Sequence, residues 1–90
     1  MKPLRVSSAF KKDLKRIGRR GLVLSKLEAI VDLLRAGEKL PPSVHAHPLQ
    51  GVWKTYWDCH IEPDWLLIYR VTDEEIVLAR TGTHADLFGR

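Results

Sequence analysis

Three of the four histidines in this chain stand where predicted strands or loops end. His47 precedes Pro48 in a long loop, His60 ends one predicted strand, and His84 follows the last. Asp64 begins the strand after His60, so the four side chains can converge at one cleft. A histidine in polar surroundings titrates near neutral pH and can accept or donate a proton. These residues are candidate general acids and bases, although each histidine alone also fits an ordinary surface position.

A metal site is the rival chemistry for the same region. His45 and His47 fall on one face of an extended segment, and His60 or Asp64 could complete a zinc set. The chain, however, has no CxxC, HExxH or HxxxH spacing, and Cys59 is its single cysteine. We therefore expect no metal and no other cofactor.

Cleavage of RNA through its 2′-hydroxyl fits these residue types better. That reaction needs a base, an acid, and cations beside the phosphate oxygens, and an aromatic ring can hold a base by stacking. For the two candidate aromatic residues there are alternatives: Trp65 could instead lie in the core, and Phe88 could dock on the sheet. The candidate cations are Lys54, Arg70 and Arg80, and the candidate aromatic residues are Trp65 and Phe88.

The positive charge of the chain is concentrated in one segment. The formal net charge is +4, from 15 basic and 11 acidic residues. Residues 11–20 contain six basic residues and one acidic residue, Asp13, so this segment accounts for the whole excess of positive charge. Such a surface suits a polyanion or an acidic partner, although a solvated helix face is the alternative. The basic residues are Lys11, Lys12, Lys15, Arg16, Arg19 and Arg20.

The elements that must position these residues follow from hydrophobic periodicity. Apolar residues repeat at helical spacing over two segments, one from Phe10 to Ile17 and one from Leu24 to Leu34. We predict strands around residues 4–6 and over 53–60, 65–71 and 76–80, a long loop over 38–51, and a short tail over 85–90. The resulting fold is α+β in the order β-α-α-β-β-β, with two helices on one face of a small antiparallel sheet.

Length and composition set the remaining bounds. The 90 residues form a single domain, 1–90. One cysteine suits a reducing compartment, and neither a signal peptide nor a membrane helix is expected, because the longest apolar stretch is the five residues Trp65 to Tyr69. We expect a cytoplasmic protein.

Three motifs together resemble the YafQ-type toxins of the RelE/ParE superfamily. They are HPLQGVW at residues 47–53, DCHIEPDWLLIY at 58–69 and RTGTHADLFG at 80–89. The resemblance implies a microbial-RNase-like fold and an endoribonuclease that cuts mRNA in the ribosomal A site. It also implies neutralisation by a small antitoxin protein. The family's catalytic positions fall on His47, His60, Asp64 and His84, and its aromatic substrate positions on Trp65 and Phe88.

The resemblance leads to a hypothesis for each role. His84 is the general acid, and Asp64 with His60 or His47 takes the 2′ proton. Arg80 offsets charge on the phosphorane, and the basic segment 11–20 docks on ribosomal RNA. His45 matches no catalytic position and is given no role.

Two other functions remain open from the sequence. ParE-type relatives share the fold and inhibit DNA gyrase without cleaving RNA, but a pure binder needs no set of titrating histidines. A basic nucleic-acid-binding module is the second alternative, although no helix-turn-helix or RRM pattern is present.

Overall fold

A five-stranded sheet organises the chain. The computed structural model describes residues 1–89, and the strands lie in the order β1-β5-β4-β3-β2. Neighbouring strands are antiparallel except β1 and β5, which are parallel. The strands are β1 (Leu4–Val6), β2 (His47–Pro48), β3 (Trp57–Glu62), β4 (Trp65–Val71) and β5 (Ile76–Gly82).

The predicted α+β class is confirmed, but the sheet is mixed rather than purely antiparallel. The chain leaves β1 through two helices and re-enters the sheet at its far edge, in β2. Three hairpin connections then carry it back from β2 to β5 beside β1. Four consecutive antiparallel strands end with β5 running in the direction of β1.

The two predicted helices form and pack on one face of the sheet. They are α1 (Ser8–Arg19) and α2 (Leu24–Arg35). Ser7 caps α1, because its Oγ accepts from the Phe10 backbone N–H at 2.9 Å and donates to the Ala79 carbonyl at 2.7 Å. The cap thereby joins the start of α1 to β5. The apolar stripes of both helices, including Ile17 and Leu27, meet the buried face of β3, β4 and β5.

A buried ion pair fastens α1 to β5 on the same face. The Asp13 side chain is 1% exposed, and its carboxylate accepts from Arg80 Nε at 2.6 Å and Arg80 Nη2 at 3.0 Å. It also accepts from the Thr81 backbone N–H at 3.1 Å. Removing one partner of such a buried pair strands the other charge and typically costs about 3–5 kcal/mol. The register of α1 on the sheet is therefore strongly fixed.

The predicted strand over 53–60 is wrong in its first half. Gly51–Trp53 is one turn of 3-10 helix, and Thr55 has a left-handed φ of 84°, which breaks the extended path. The strand begins at Trp57 instead. From there the predicted alternation holds, with Trp57 and Cys59 on the helix side of the sheet and Asp58 and His60 on the other.

Two segments predicted to be irregular contain structure. The loop 38–51 includes a 3-10 turn at Pro42–Val44 and strand β2, in which His47 pairs with Asp58. The tail over 85–90 is largely helical: α3 runs over His84–Phe88, and Arg90 lies outside the described residues. Over residues 1–89, the helices are too short and too polar to cross a bilayer.

Candidate active site

The structure brings His47, His60, Asp64 and His84 to one edge of the sheet. His60 lies near the end of β3, Asp64 in the turn between β3 and β4, and His84 at the first position of α3 after β5. Because β3, β4 and β5 are antiparallel neighbours, the end of one meets the start of the next. The His60 ring is central, with ring centroids 5.6 Å from His84 and 6.4 Å from His47.

His84 is held by Asp64. The Asp64 Oδ1 accepts from the His84 backbone N–H at 2.9 Å and lies 2.6 Å from His84 Nδ1. The backbone bond first, and the ring bond second, hold the pKa of the Asp64 carboxyl below its usual value. The ionised carboxylate can only accept, so Nδ1 must carry a proton. This leaves His84 Nε2 free to exchange a proton with a ligand, and the two side chains are 44% and 65% exposed.

His47 makes a second pair, with the buried carboxylate of Asp58. His47 Nδ1 lies 2.9 Å from the His45 carbonyl, and Nε2 lies 3.1 Å from Asp58 Oδ1 in a contact not aligned as a hydrogen bond. Burial raises the pKa of the Asp58 carboxyl, against the attraction of His47, His60 and His84. Because a carbonyl oxygen can only accept, a hydrogen bond from the His47 ring to the His45 carbonyl requires the proton on Nδ1. The pair therefore places an imidazole against a buried carboxylate, next to the His60 ring.

Asp58 was not among the residues proposed from the sequence. Its strand alternation with His60 was the available signal, since both fall on the sheet face opposite the helices. Burial raises the pKa of the Cys59 thiol to about 12, so the thiol stays protonated and is no nucleophile.

His45 also joins the group. Its ring centroid lies 6.1 Å from that of His60, edge to face at 78°. All four histidines are therefore neighbours. Within residues 1–89, no three His, Cys, Asp or Glu side chains are placed to share a metal ion.

The predicted nucleotide-stacking role of Trp65 is wrong. The residue is 1% exposed, and its indole Nε1 donates to the Thr81 hydroxyl at 2.9 Å. The Thr81 hydroxyl in turn donates to the Leu66 carbonyl at 2.7 Å. The ring faces are covered by the core between sheet and helices, so they offer no surface to a base.

Two of the three predicted cations are engaged by other side chains, Arg80 by Asp13 and Arg70 by Tyr56. The Arg80 guanidinium is bound by Asp13, so its charge is already paired within the protein, and its role toward a phosphate stays a prediction. Arg70 lies over the Tyr56 ring, 5.4 Å from its centroid. Lys54 is exposed just after the Gly51–Trp53 turn. Phe88 is 37% exposed at the end of the helix that His84 begins, and its stacking role stays a prediction.

The basic segment is divided into paired and unpaired residues. Arg20 binds Asp86 with both terminal nitrogens, at 2.6 and 3.1 Å, and Arg16 lies 3.4 Å from Asp13 and 3.7 Å from Asp86. These two arginines pair within the protein, whereas the expected docking surface included all six basic residues. The other four basic residues of the segment are exposed and form no ion pair with residues 1–89. We call them the basic surface: Lys11, Lys12, Lys15 and Arg19.

Asp86 fixes α3, and thereby His84, against α1. Its carboxylate accepts from the Thr83 N–H at 3.0 Å in a capping box and from Arg20. Gly82 makes room for it: at φ 155°, a Cβ there would lie 2.9 Å from the Asp86 carboxylate. A side chain at residue 82 would therefore push α3 away from β5.

The sequence is similar to that of known proteins over nearly its whole length. Residues 2–89 match the family model described as the bacterial toxin of a type II toxin–antitoxin system, YafQ. The chain is 46% identical over 84 residues to the mRNA interferase toxin YafQ of Escherichia coli K12, covering 92% of this chain and 91% of the relative.

Solved structures agree with the sequence comparison. The crystal structure of YafQ from E. coli BL21(DE3) superposes with a TM-score of 0.94 at 42% identity, covering 99% of this chain and 100% of that one. The E. coli DinJ–YafQ toxin–antitoxin complex gives a TM-score of 0.91 at 44% identity, with 98% of each chain covered.

The Asp86 contacts predict how stability depends on pH. The Arg20 hydrogen bond, above all, lowers the pKa of the Asp86 carboxyl. Because this pKa is lower in the folded than in the unfolded state, the ionised carboxylate stabilises the fold at pH values above the unfolded-state pKa, which is about 4. The stabilisation is lost as the pH falls toward the folded-state pKa. Asp86→Asn should therefore lower the Tm at pH 7 and have a smaller effect at pH 3. Thermal unfolding measures this, with Asp73→Asn in an exposed turn as the control. An equal deficit at both pH values would contradict it.

Proposed function

Because the chain belongs to the YafQ family of type II toxin–antitoxin toxins, we propose that it is a ribosome-dependent, metal-independent endoribonuclease. It cuts mRNA in the ribosomal A site, in the cytoplasm, and so inhibits translation. The observation that supports this most is the placement of His60 between two histidine–carboxylate pairs, His84–Asp64 and His47–Asp58, at an open sheet edge. The group can supply a base, an acid and positive charge without a metal.

The reaction is attack of the 2′-oxygen on the adjacent phosphorus. The O2′–P bond forms and the P–O5′ bond breaks, which gives a 2′,3′-cyclic phosphate, or a 3′-phosphate after hydrolysis, and a 5′-hydroxyl. One proton leaves O2′ and one is added to O5′. General acid and base groups each typically contribute about 10²–10⁴-fold to such a step.

The geometry refines the role of each residue. Asp64 already accepts two hydrogen bonds from His84, and its lowered carboxyl pKa makes it a poor base. We therefore assign Asp64 to orienting His84, whose Nε2 donates the proton to O5′. His60 takes the 2′ proton, since it lies between the two pairs.

His47 takes the part first expected of Arg80. The guanidinium of Arg80 is bound by Asp13, whereas His47 contacts the Asp58 carboxylate and its ring centroid lies 6.4 Å from that of His60. An imidazolium there offsets charge that develops on the phosphate oxygens. Phe88, exposed on α3 one turn from His84, offers a ring on which one base stacks.

His84→Ala tests the acid assignment. We expect the single-turnover cleavage rate on mRNA-programmed ribosomes to fall about 10²–10⁴-fold, since the leaving oxygen loses its proton donor. Thr83 still caps α3, so the fold should persist, and Ser25→Ala on α2 serves as the distant control. Cleavage within a few-fold of the wild-type rate would contradict the assignment.

The basic surface would bind ribosomal RNA. Its four residues, Lys11, Lys12, Lys15 and Arg19, are exposed on α1, while the other two basic residues of the segment hold Asp86. Phosphate contacts made by such residues give affinity that falls steeply with salt. A positively charged surface also favours an acidic partner segment.

Charge reversal tests this docking surface. The double variant Lys11→Glu, Lys15→Glu should weaken ribosome binding and lower the slope of log affinity against log salt by about one for each lost phosphate contact. Sedimentation with ribosomes at several salt concentrations measures both quantities. The control, Lys39→Glu with Lys2→Glu, makes the same change in net charge elsewhere. Equal effects of the two double variants would contradict specific docking.

A small antitoxin protein would neutralise the enzyme. The support is that the E. coli relative was solved as a DinJ–YafQ toxin–antitoxin complex. An acidic segment of the antitoxin would cover either the basic surface or the histidine cleft. Either placement blocks a surface that the proposed reaction needs.

A further inference from the structure

His45 occupies a backbone conformation that most residues avoid. Its φ of 50° and ψ of 47° are left-handed, which costs a non-glycine residue about 1 kcal/mol or more. Its N–H donates to the Pro42 carbonyl at 3.1 Å, and its own carbonyl accepts from His47 Nδ1 at 2.9 Å. The surrounding contacts thus hold the residue where its ring meets that of His60.

An open groove lies on the His45 side of His60. Its volume is about 510 Å³. Asp64, His84 and Phe88 do not line this groove, although the His84 ring also contacts His60, at 5.6 Å between centroids. An RNA strand whose scissile phosphate lies over His60 would therefore place one nucleotide toward Phe88 and the other in this groove. The groove is lined by Ser43, His45, His60, Glu62 and Pro63, among others.

The lining selects for a base rather than a phosphate. Glu62 presents a carboxylate, which repels a phosphate but accepts from the amino or imino groups of a base. Its Oε2 is paired with Lys26 Nζ at 2.8 Å, while Oε1 has no hydrogen bond from residues 1–89. The Ser43 hydroxyl adds a donor and acceptor, and the His45 ring offers a flat face for stacking.

We propose that this groove is a binding site for the nucleobase next to the scissile phosphate, on the side opposite Phe88. His45 stacks on the base, and Glu62 reads its edge. The inference rests on the proposed ribonuclease activity, to which it adds a residue that selects the substrate. His45 leaves the chemistry of proton transfer to the other three histidines.

His45→Asn is the suited variant. Asparagine tolerates the left-handed conformation better than most residues and keeps the backbone carbonyl that holds His47, so only the ring is lost. We expect KM on programmed ribosomes to rise about tenfold with kcat within about threefold, together with a relaxed base preference at one position of the cut codon. His45→Phe, which keeps a stacking face, should stay closer to the wild type.

A binding measurement keeps this inference separate from the activity. NMR titration of the purified protein with the four 2′-deoxy homodinucleotides, which lack the attacking hydroxyl, should shift the resonances of His45 and Glu62 for at least one base. His45→Asn should abolish those shifts. If wild type binds in this way but cuts no message, the proposed function fails and the base site stands. The site is refuted if no dinucleotide shifts these resonances, or if His45→Asn leaves KM and codon preference unchanged.

Discussion

The buried carboxylate of Asp13 is the constraint on which the rest of the structure depends. It joins α1 to β5 through Arg80 and the Thr81 N–H, and Thr81 continues the network to Trp65 and the carbonyl of Leu66 on β4. Gly82 and His84 follow directly in the chain. A carboxylate that loses these donors would be buried without compensation, so the network resists any slip of α1 along the sheet.

This constraint gives two of the six basic residues in segment 11–20 a structural task. The same helix that places Asp13 in the core presents Arg16 and Arg20 to Asp86, and Asp86 holds α3. The histidine that begins α3 is thus fixed from two sides, by Asp64 and by the α3 cap. The remaining lysines and Arg19 are left for a partner, so the segment combines support for the site with a docking surface.

Some of this could be predicted from the sequence because it is local. The uninterrupted apolar run from Trp65 predicted β4, and histidines beside turns predicted a shared cleft. The contacts of Trp65 with Thr81 and of Arg80 with Asp13 could not be predicted, because the partners are distant in the chain and a single sequence shows no such pairing. Alternation over 53–56 suggested a strand, whereas the left-handed Thr55 ends it.

Two further features could have been predicted from the sequence. Thr83 followed three residues later by Asp86 is a capping signal that marks α3. Asp58, two positions before His60, shares its strand face and so could have been named beside it. The placement of His45 could not have been found this way, because it depends on the turn at Pro42–Val44.

We propose that the histidine group cuts translated mRNA through its 2′-hydroxyl. The most direct test maps and characterises RNA ends after brief induction, comparing one translated message with a matched transcript that lacks its start codon. We predict new 5′-hydroxyl ends in codon register on the translated message alone, with a 2′,3′-cyclic phosphate or 3′-phosphate on the upstream fragment. Growth arrest with an intact message would contradict the account and favour an inhibitor that acts by binding.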